Sequence, residues 1–240
     1  MNFVKAKNYS DLSRKAANII AAQITLKQNS VLGLATGSTP LGVYKQLIKM
    51  YRNKDITFAN AITVNLDEYC GLSSEHEQSY RAYMNKHLFD NIDIKKKNTF
   101  LPNGTAQDYE KECVMYDKLI DSIGGIDILL LGVGHNGHIG FNEPGQVFKV
   151  NTHCVDLSLR TRQANARFFE SDVNSVPKKA LTLGLKNIMN AKKILMVASG
   201  REKLDILESA FSKVVTPRIP VSILQLHLNC TVILSEEQCS

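Results

Sequence analysis

Short apolar segments alternate with longer amphipathic segments along the chain, and this alternation constrains the fold more than any other feature. The apolar segments have the length of β-strands and lie at 30–35, 61–66, 126–132, 152–157, 193–198 and 229–235. Helical spacing follows Ser10 and Thr39, and also appears at 79–89, 106–123, 163–170 and 201–211. Strands separated by helices usually pair in parallel. The sequence therefore predicts an α/β fold with a single doubly wound, mostly parallel, Rossmann-like sheet and helices on both faces.

Local signals predict where three of these helices begin or end. Ser10 is the predicted N-cap of the first helix. Thr39 is the predicted N-cap of the second, with Pro40 at its first helical position. Gly124 and Gly125 are expected to end the helix at 106–123.

The composition is that of an ordinary globular protein. The chain has 240 residues, 44% of them hydrophobic and 22% charged, which is enough to bury a sizeable core. Because we find neither a repeat nor a linker, residues 1–240 are expected to form one α/β catalytic domain. The formal net charge of +6 suits an anionic partner, but such an excess is also common in enzymes.

Several classes of protein are disfavoured by the sequence. Apolar runs of bilayer-spanning length and a secretory signal are both missing, so we expect a cytoplasmic protein with no membrane partner. The run Lys95–Lys97 fits a solvated connection better than a nucleic-acid patch. A disulfide framework or a cysteine zinc site is not indicated, because the cysteines are odd in number and form no C-x-x-C pair. They are Cys70, Cys113, Cys154, Cys230 and Cys239.

Unusual polar residues follow four of the predicted strands. The segments are 36–39 (TGST), 67–69 (DEY), 132–138 (GVGHNGH) and 199–203 (SGREK). Ligands bind beyond the carboxyl ends of the strands in open parallel sheets, where loops and helix N-termini gather. We therefore expect these four segments to meet at one edge of the sheet.

The segment TGSTP has the features of an anion site. Gly37 lets the backbone approach a ligand, and the amides of Ser38 and Thr39 open a predicted helix, so phosphate is the expected guest. A capped helix after a tight turn explains the segment equally well. Lys203 and Arg167 are candidate cations for the same anion, although each alone fits an exposed surface charge.

Asp67 and Glu68 are adjacent acids at the end of a predicted strand. A solvated polar strand end accounts for such a pair. A carboxylate shielded from water instead gains proton affinity and can act as a general base. Proton abstraction is the chemistry that this second interpretation predicts.

The segment GVGHNGHIGFNEP contains a glycine pattern typical of dinucleotide sites, at Gly132, Gly134 and Gly137. We disfavour that interpretation because Pro144 leaves too little room for the long helix the fingerprint needs, and an acid is missing after the next strand. A metal site is disfavoured too, because His135 and His138 have no third ligand at a recognisable spacing.

With a dinucleotide site and a metal site both disfavoured, the candidate for chemistry in this segment is His138. Asn136 precedes it and Glu143 follows it on a glycine-rich loop. A histidine exchanges a proton near neutral pH, and a neighbouring amide or carboxylate can fix its tautomer. We predict an acid–base role for His138. Ordinary structural roles are expected for the histidines that lack such company, His76, His87, His135, His153 and His227.

Seven motifs, in order and spanning most of the chain, resemble those of glucosamine-6-phosphate deaminases of the shorter bacterial type. They are TGSTP (36–40), LDEYCGL (66–72), SYRAYM (79–84), GVGHNGHIGFNEP (132–144), ANARFF (164–169), VPKKALTLG (176–184) and LQLH (224–227). The resemblance implies conversion of glucosamine 6-phosphate and water into fructose 6-phosphate and ammonium. It implies no redox cofactor. The histidine loop gives no reason to expect a metal, and the sequence leaves monomer or homo-oligomer open.

The resemblance also implies roles for individual residues. Asp67 corresponds to the base that moves a proton from C2 to C1, and His138 to the group that handles the ring-opening proton. Asn136 and Glu143 correspond to the residues that orient and tune that histidine. The implied phosphate clamp consists of Gly37, Ser38, Thr39, Arg167 and Lys203.

Two departures from the family pattern limit the comparison. Asn136 stands where other members have Asp, so His138 is expected to be less basic than in such a relative. Longer members bind an activator through serine and basic residues after FNEP, whereas this chain has GQVFKVNTHCV there and ends at Ser240. We therefore expect no activation by N-acetylglucosamine 6-phosphate.

Three rival functions are weaker on the sequence. A 6-phosphogluconolactonase resembles the chain in fold and in its glycine and histidine loop, but FNEP and LDEY fit the deaminase pattern better. A sugar-phosphate sensor would need a DNA-reading extension that the remaining length does not offer. A nicotinamide dehydrogenase would be recognised by a shift in NADH fluorescence on binding.

Overall fold

A computed structural model describes residues 1–169, 171–212 and 214–237. The main sheet in this part of the chain has seven strands, in the order β1-β10-β9-β6-β2-β3-β5, and every pairing in it is parallel. Its strands are β1 (Asn2–Lys5), β2 (Val31–Leu34), β3 (Ile62–Asn65), β5 (Thr99–Phe100), β6 (Ile128–Leu131), β9 (Ile194–Ser199) and β10 (Cys230–Ser235). The predicted doubly wound α/β fold is confirmed.

Helices cover both faces of this sheet. They are α1 (Tyr9–Leu26), α2 (Ser38–Arg52), α3 (Tyr80–His87), α4 (Tyr109–Ser122), α6 (Leu185–Met189) and α7 (Arg201–Ala210). A further helix, α5 (Leu159–Asn165), precedes the 3-10 segment Ala166–Phe168. Alternate residues of a strand face opposite sides. On β2, Leu32 and Leu34 accordingly pack with α1, α2 and α3, whereas Val31 packs with α4, α6 and α7. None of the helices in the described chain is long and apolar enough to cross a membrane.

A second sheet of three antiparallel strands was not predicted. It consists of β4 (Asp67–Tyr69), β8 (Lys179–Thr182) and β7 (His153–Asp156), in the order β4-β8-β7. The prediction of a parallel strand at 152–157 is therefore wrong in its pairing, because β7 joins β8 antiparallel. This small sheet contains the predicted base, because β4 begins with Asp67.

Two predicted helix starts need correction. The N-cap of α1 is Asn8, whose side chain accepts a hydrogen bond from the Asp11 amide, so Ser10 lies inside the helix. Helix α2 begins at Ser38 with Gly37 as its cap, so Thr39 and Pro40 lie in its first turn. Gly37 has φ of 100°, which is a left-handed value that glycine adopts without strain and which turns the chain into the helix at once.

The remaining boundaries are close to the prediction. Helix α4 starts at Tyr109 rather than 106 because Asp108 caps it, and Gly124 and Gly125, both at positive φ, follow its end as expected. Of the predicted helix at 163–170, α5 and the short 3-10 segment Ala166–Phe168 are observed, and residue 170 lies outside the described residues. Cys239 and Ser240 lie outside them as well. The Lys95–Lys97 run is exposed, as expected of a solvated connection.

Candidate active site

The four polar segments follow four neighbouring strands of the main sheet. Strands β9, β6, β2 and β3 are adjacent and parallel, so their carboxyl ends lie along one edge. The segments 199–203, 132–138, 36–39 and 67–69 leave that edge in the same order. The expected gathering of these segments is therefore observed, and it places a candidate site at the carboxyl edge of the sheet.

The imidazole of His138 is held by a chain of polar contacts on its own loop. Asn136 Oδ1 accepts a hydrogen bond from the His138 backbone N–H at 3.2 Å and lies 2.7 Å from His138 Nδ1. Asn136 Nδ2 donates to Glu143 Oε2 at 2.7 Å, and Glu143 Oε1 lies 3.6 Å from His138 Nδ1. Since a backbone N–H can only donate, the amide oxygen must face His138, and Nδ1 carries its proton toward that oxygen. This tautomer leaves Nε2 as the proton acceptor of the ring.

Burial lowers the pKa of His138 below its usual value, and this is the largest influence on it. The Glu143 carboxylate raises the pKa, while the charges of Lys203 and His135 lower it. Desolvation is thus the main cause of the lowered pKa, and the comparison with a relative that has Asp at position 136 stays a prediction. A histidine in this state is neutral at neutral pH and can accept a proton.

One glycine of the dinucleotide-like pattern, Gly134, is required by the histidine itself. A Cβ on Gly134 would lie 2.0 Å from Cε1 of His138, so only glycine admits the imidazole there. Gly137 and Gly140 both have positive φ. A Cβ on Gly140 would lie 3.5 Å from Asp67 Oδ2 and 2.8 Å from Thr182 Oγ1, so the loop approaches the β4 acid closely.

Asp67 is a buried carboxylic acid, with 7% of its surface exposed, at the first position of β4. Burial, assisted by the charge of Glu68, raises its pKa to about 8. Aromatic rings lie near this acid. Tyr69 packs against Tyr80 with the ring centroids 4.8 Å apart and the planes tilted by 49°, and the Asp67 charge acts on both phenols. A carboxyl group with this proton affinity can take up and release a proton near neutral pH.

Glu68 has a different function from its neighbour. Its Oε1 accepts hydrogen bonds from the amides of Tyr69 and Tyr80 at 2.9 and 2.8 Å, and its Oε2 accepts from the Arg81 amide at 2.9 Å. These contacts satisfy backbone donors at the N-terminus of α3. Burial raises the pKa of Glu68, while these hydrogen bonds lower it.

The candidate phosphate residues come from two helix N-termini. Gly37 caps α2, which begins with Ser38 and Thr39, and Gly200 caps α7 with a similar φ of 99°. Lys203, in the first turn of α7, reaches across so that its Nζ lies 3.3 Å from Thr39 Oγ1. The positive ends of two helices and an ammonium group therefore converge, which is an arrangement that favours an anion.

Arg167 lies on a different element from the other clamp residues. It is exposed and sits on the 3-10 segment Ala166–Phe168, directly after α5. The sequence did not single out Thr161, whose hydroxyl donates to Glu143 Oε1 at 2.8 Å and so connects α5 with the His138 network. A lone threonine on a helix carries no sequence signal for such a contact.

The other histidines are placed in ordinary surroundings. His135 is exposed, and its Nδ1 lies 2.9 Å from Glu202 Oε2, a partner on α7 that the sequence analysis did not find. The buried His227 places Nε2 2.8 Å from the Ala191 carbonyl and accepts from the Asn229 amide at Nδ1. Among the described residues, His, Cys, Asp and Glu side chains form no group of three suited to a metal ion.

Comparison with known proteins identifies the family. The model of the glucosamine-6-phosphate isomerases/6-phosphogluconolactonase family matches residues 5–233. The chain belongs to this family. Among its members, a glucosamine-6-phosphate deaminase from Lachnoclostridium phytofermentans is 59% identical, over 97% of this chain and 98% of its own. One from a Geobacillus species is 52% identical, over 100% of this chain and 95% of its own. The resemblance seen in the motifs is confirmed.

Solved structures of family members share the fold. A monomeric glucosamine-6-phosphate deaminase has 48% identity and a TM-score of 0.96, covering 99% of this chain and 98% of that one. A 6-phosphogluconolactonase from Thermotoga maritima has 20% identity and a TM-score of 0.75, covering 98% of each chain. At that identity the lactonase supports the shared fold alone.

Proposed function

We propose that this enzyme is a glucosamine-6-phosphate deaminase, which converts glucosamine 6-phosphate and water into fructose 6-phosphate and ammonium in amino-sugar catabolism. This is an aldose–ketose isomerisation with hydrolysis of a carbon–nitrogen bond. The observation that carries the proposal is that the loop bearing His138 passes close to Asp67 at Gly140. This glycine lies two residues after His138, and a Cβ on it would lie 3.5 Å from Asp67 Oδ2.

The sugar phosphate binds through its phosphate group at the N-termini of α2 and α7. The backbone of Gly37, Ser38 and Thr39 and the ammonium group of Lys203 receive the phosphate oxygens, and Arg167 closes the clamp from the segment after α5. Fixing one end of a small substrate restricts where its other end can lie. The clamp therefore holds the reacting carbons in place as well as providing affinity.

Ring opening requires a proton to leave the anomeric hydroxyl and another to reach the ring oxygen. His138 Nε2 takes the first proton, because Nδ1–H is held by Asn136 Oδ1 at 2.7 Å. The imidazolium formed is stabilised by the carboxylate of Glu143, 3.6 Å from Nδ1, and returns a proton to the ring oxygen. The low pKa of His138 keeps the ring neutral before the reaction.

Asp67 carries out the isomerisation of the opened sugar. Its carboxylate removes the proton from C2 and delivers it to C1, while the C2 amine loses a proton to solvent and O1 gains one from solvent. The C1 aldehyde thereby becomes an alcohol and the C2 amine an imine. Water then adds to C2 and ammonia leaves, giving the ketone of fructose 6-phosphate. A pKa near 8 suits both directions of the proton transfer at neutral pH.

The proposal is tested by incubating purified protein with glucosamine 6-phosphate and measuring ammonium and fructose 6-phosphate in the same sample. Equal molar amounts of both products are expected. 6-Phosphogluconolactone is the control substrate, and no acceleration of its hydrolysis is expected. Lactone hydrolysis without ammonium release would assign the chain to the other activity of its family.

We also propose that residues 1–240 act as one catalytic domain in the cytoplasm, as a monomer, with no nucleic-acid or membrane partner. The 48% identical deaminase of known structure is described as monomeric, which supports a single-chain unit. Light scattering should then give a mass of 26.7 kDa rather than a multiple of it. A hyperbolic rate curve that N-acetylglucosamine 6-phosphate leaves unchanged is expected from the sequence after FNEP.

A further inference from the structure

Tyrosine hydroxyls contact four carbonyl groups between the end of β2 and the first turn of α2, those of residues 35, 37, 38 and 39. Tyr44 donates to the Ala35 carbonyl, and Tyr83 donates to the Gly37 carbonyl at 2.7 Å. The Tyr9 hydroxyl lies 3.1 Å from the Ser38 carbonyl oxygen and 3.0 Å from that of Thr39. We call Tyr9, Tyr44 and Tyr83 the tyrosine collar. They come from α1, α2 and α3, so three helices hold one short segment.

The direction of each carbonyl group also fixes the direction of the next amide. A peptide group is planar and trans, so its N–H points opposite to its C=O. The Tyr83 contact at the Gly37 carbonyl therefore orients the Ser38 N–H away from Tyr83. The Tyr9 contact at the Ser38 carbonyl does the same for the Thr39 N–H. These two amides belong to the proposed phosphate clamp.

Tyr9 acts inside the first turn of α2. Its hydroxyl accepts a hydrogen bond from the Gly42 amide at 2.8 Å while it contacts the Ser38 carbonyl. These two backbone groups would be direct partners in a regular helix, so the hydroxyl bridges them. A Cβ on Gly42 would lie 2.9 Å from the Tyr9 hydroxyl and 2.2 Å from Ser13 Oγ. Glycine at this position admits both the Ser13 and the Tyr9 side chains.

The hydroxyls of Tyr44 and Tyr83 remain donors across the physiological pH range. Burial raises the pKa of Tyr83 well above its usual value, and the nearby Tyr9 adds to the shift. Burial has the same effect on Tyr44. A carbonyl oxygen carries partial negative charge and would repel a phosphate that it faced. A tyrosine hydroxyl that holds the carbonyl pointing away from the anion site removes this repulsion.

We propose that Tyr9 and Tyr83 are positioning residues for phosphate binding, which act by orienting the Ser38 and Thr39 amides toward the anion. The inference rests on the proposed function, because it concerns the same phosphate clamp. Neither tyrosine is required to touch the substrate. Their contribution passes through the backbone, so it should appear in affinity for the phosphate group.

The test compares Tyr9→Phe and Tyr83→Phe with the wild-type enzyme in binding of inorganic phosphate by calorimetry and in steady-state kinetics. Loss of one ordinary hydrogen bond corresponds to a change of about three- to tenfold in affinity. We expect the Kd for phosphate and the KM for glucosamine 6-phosphate to rise by about this factor, with a smaller change in kcat.

Tyr116→Phe is the matched control. Tyr116 is buried, whereas Tyr9 and Tyr83 are partly buried, and its hydroxyl likewise contacts backbone carbonyls, those of Asn65 at 2.9 Å and Phe100 at 3.2 Å, outside the α2 turn. This variant should lose a comparable amount of stability and keep the wild-type Kd for phosphate. Gly42→Ala is a second probe of the same contact, because it displaces the Tyr9 hydroxyl without removing it.

The outcomes separate the two proposals. If wild-type protein binds phosphate and deaminates the sugar, and the folded Tyr9, Tyr83 and Gly42 variants keep its phosphate affinity within twofold, the collar has no positioning role. The positioning role would also be overturned if Tyr116→Phe lost as much phosphate affinity as the Tyr9, Tyr83 and Gly42 variants. That result would show that the loss follows from reduced stability. If wild-type protein neither binds phosphate nor releases ammonium, the proposed function fails and the inference fails with it.

Discussion

Gly134 lies directly against the imidazole of His138, so closely that a Cβ on the glycine would be 2.0 Å from Cε1 of the ring. The same added atom would lie 2.3 Å from each ring nitrogen. The histidine cannot keep its position beside Asn136 and Glu143 unless residue 134 has no side chain. The position of the proposed proton carrier is therefore set by its glycine neighbour.

Gly134→Ala should consequently lose activity while it keeps phosphate binding. Displacing a general acid–base group costs about 100-fold or more in kcat. Gly132→Ala is the matched control on the same loop, because a Cβ there would meet no described atom within 4 Å. Steady-state rates and the Kd for inorganic phosphate check this prediction. Equal kcat values for the two variants would show that the ring position does not depend on Gly134.

Asn136→Asp should raise the pKa of His138. The substitution places a carboxylate where Asn136 Oδ1 now lies, 2.7 Å from Nδ1, and an adjacent negative charge favours the imidazolium. An NMR titration of the His138 ring should show a midpoint at higher pH than in the wild type. The acid limb of the kcat/KM profile should move to higher pH with it. An unchanged or lower midpoint would contradict the geometry described for this loop.

Asp67→Asn should stabilise the fold, and more so as the pH rises. The folded pKa of Asp67 is about 8 and its reference value is 3.8, so the folded state binds more protons between these values. Wild-type stability should therefore fall as the pH rises through this window, while the neutral amide avoids the loss. We expect a gain of at least about 1 kcal/mol in the free energy of unfolding at pH 8, and little at pH 4.

Asp127→Asn should have the opposite effect, which makes it the control for the stability measurement. Asp127 is as buried as Asp67, but its carboxylate accepts from Lys27, Lys192 and the Val31 amide. Burial opposes these hydrogen bonds, and their net effect lowers its pKa. Its stabilisation is present above the unfolded pKa and is lost as the pH falls through the folded one. Urea denaturation at several pH values distinguishes the two variants.

The main sheet was predictable because its strands are apolar, regular and separated by helices. Val31–Leu34 and Ile128–Leu131 are fully buried, and this burial on both faces gives the continuous apolar runs that the sequence displays. The position of the site followed from the same pattern. Once the strands are parallel and adjacent, the residues at their carboxyl ends must be neighbours.

The second sheet was not predictable from local sequence. Strand β4 has three residues, and its partner β8 lies more than 100 residues further along the chain. Such short strands carry no periodic signal, and only the tertiary fold brings them together. Burial of Asp67 in this fold raises its pKa. The sequence therefore suggested a base at this position, but only the structure shows its raised proton affinity.

The tyrosine contacts were invisible in the sequence for a similar reason. The Tyr9 hydroxyl reaches a carbonyl 29 residues away, and Tyr83 reaches one 46 residues away. Carbonyl groups are present at every residue, so nothing marks which ones a tyrosine will bind. By contrast, the N-cap error at Ser10 arose because Asn8 and Ser10 are both good caps, and the observed cap is Asn8.

The kcat of Asp67→Asn on glucosamine 6-phosphate, measured beside its affinity for inorganic phosphate, tests the central assignment most directly. Asp127→Asn is the control, because it makes the same chemical change at an acid that is equally buried. Asp127 lies next to the amino end of β6, at the opposite end of the strand from the site. The assignment predicts that Asp67→Asn binds phosphate normally and loses about 100- to 10,000-fold in turnover, whereas Asp127→Asn retains it. Ammonium release by Asp67→Asn within tenfold of the wild-type rate would contradict the assignment of Asp67 as the group that moves the C2 proton.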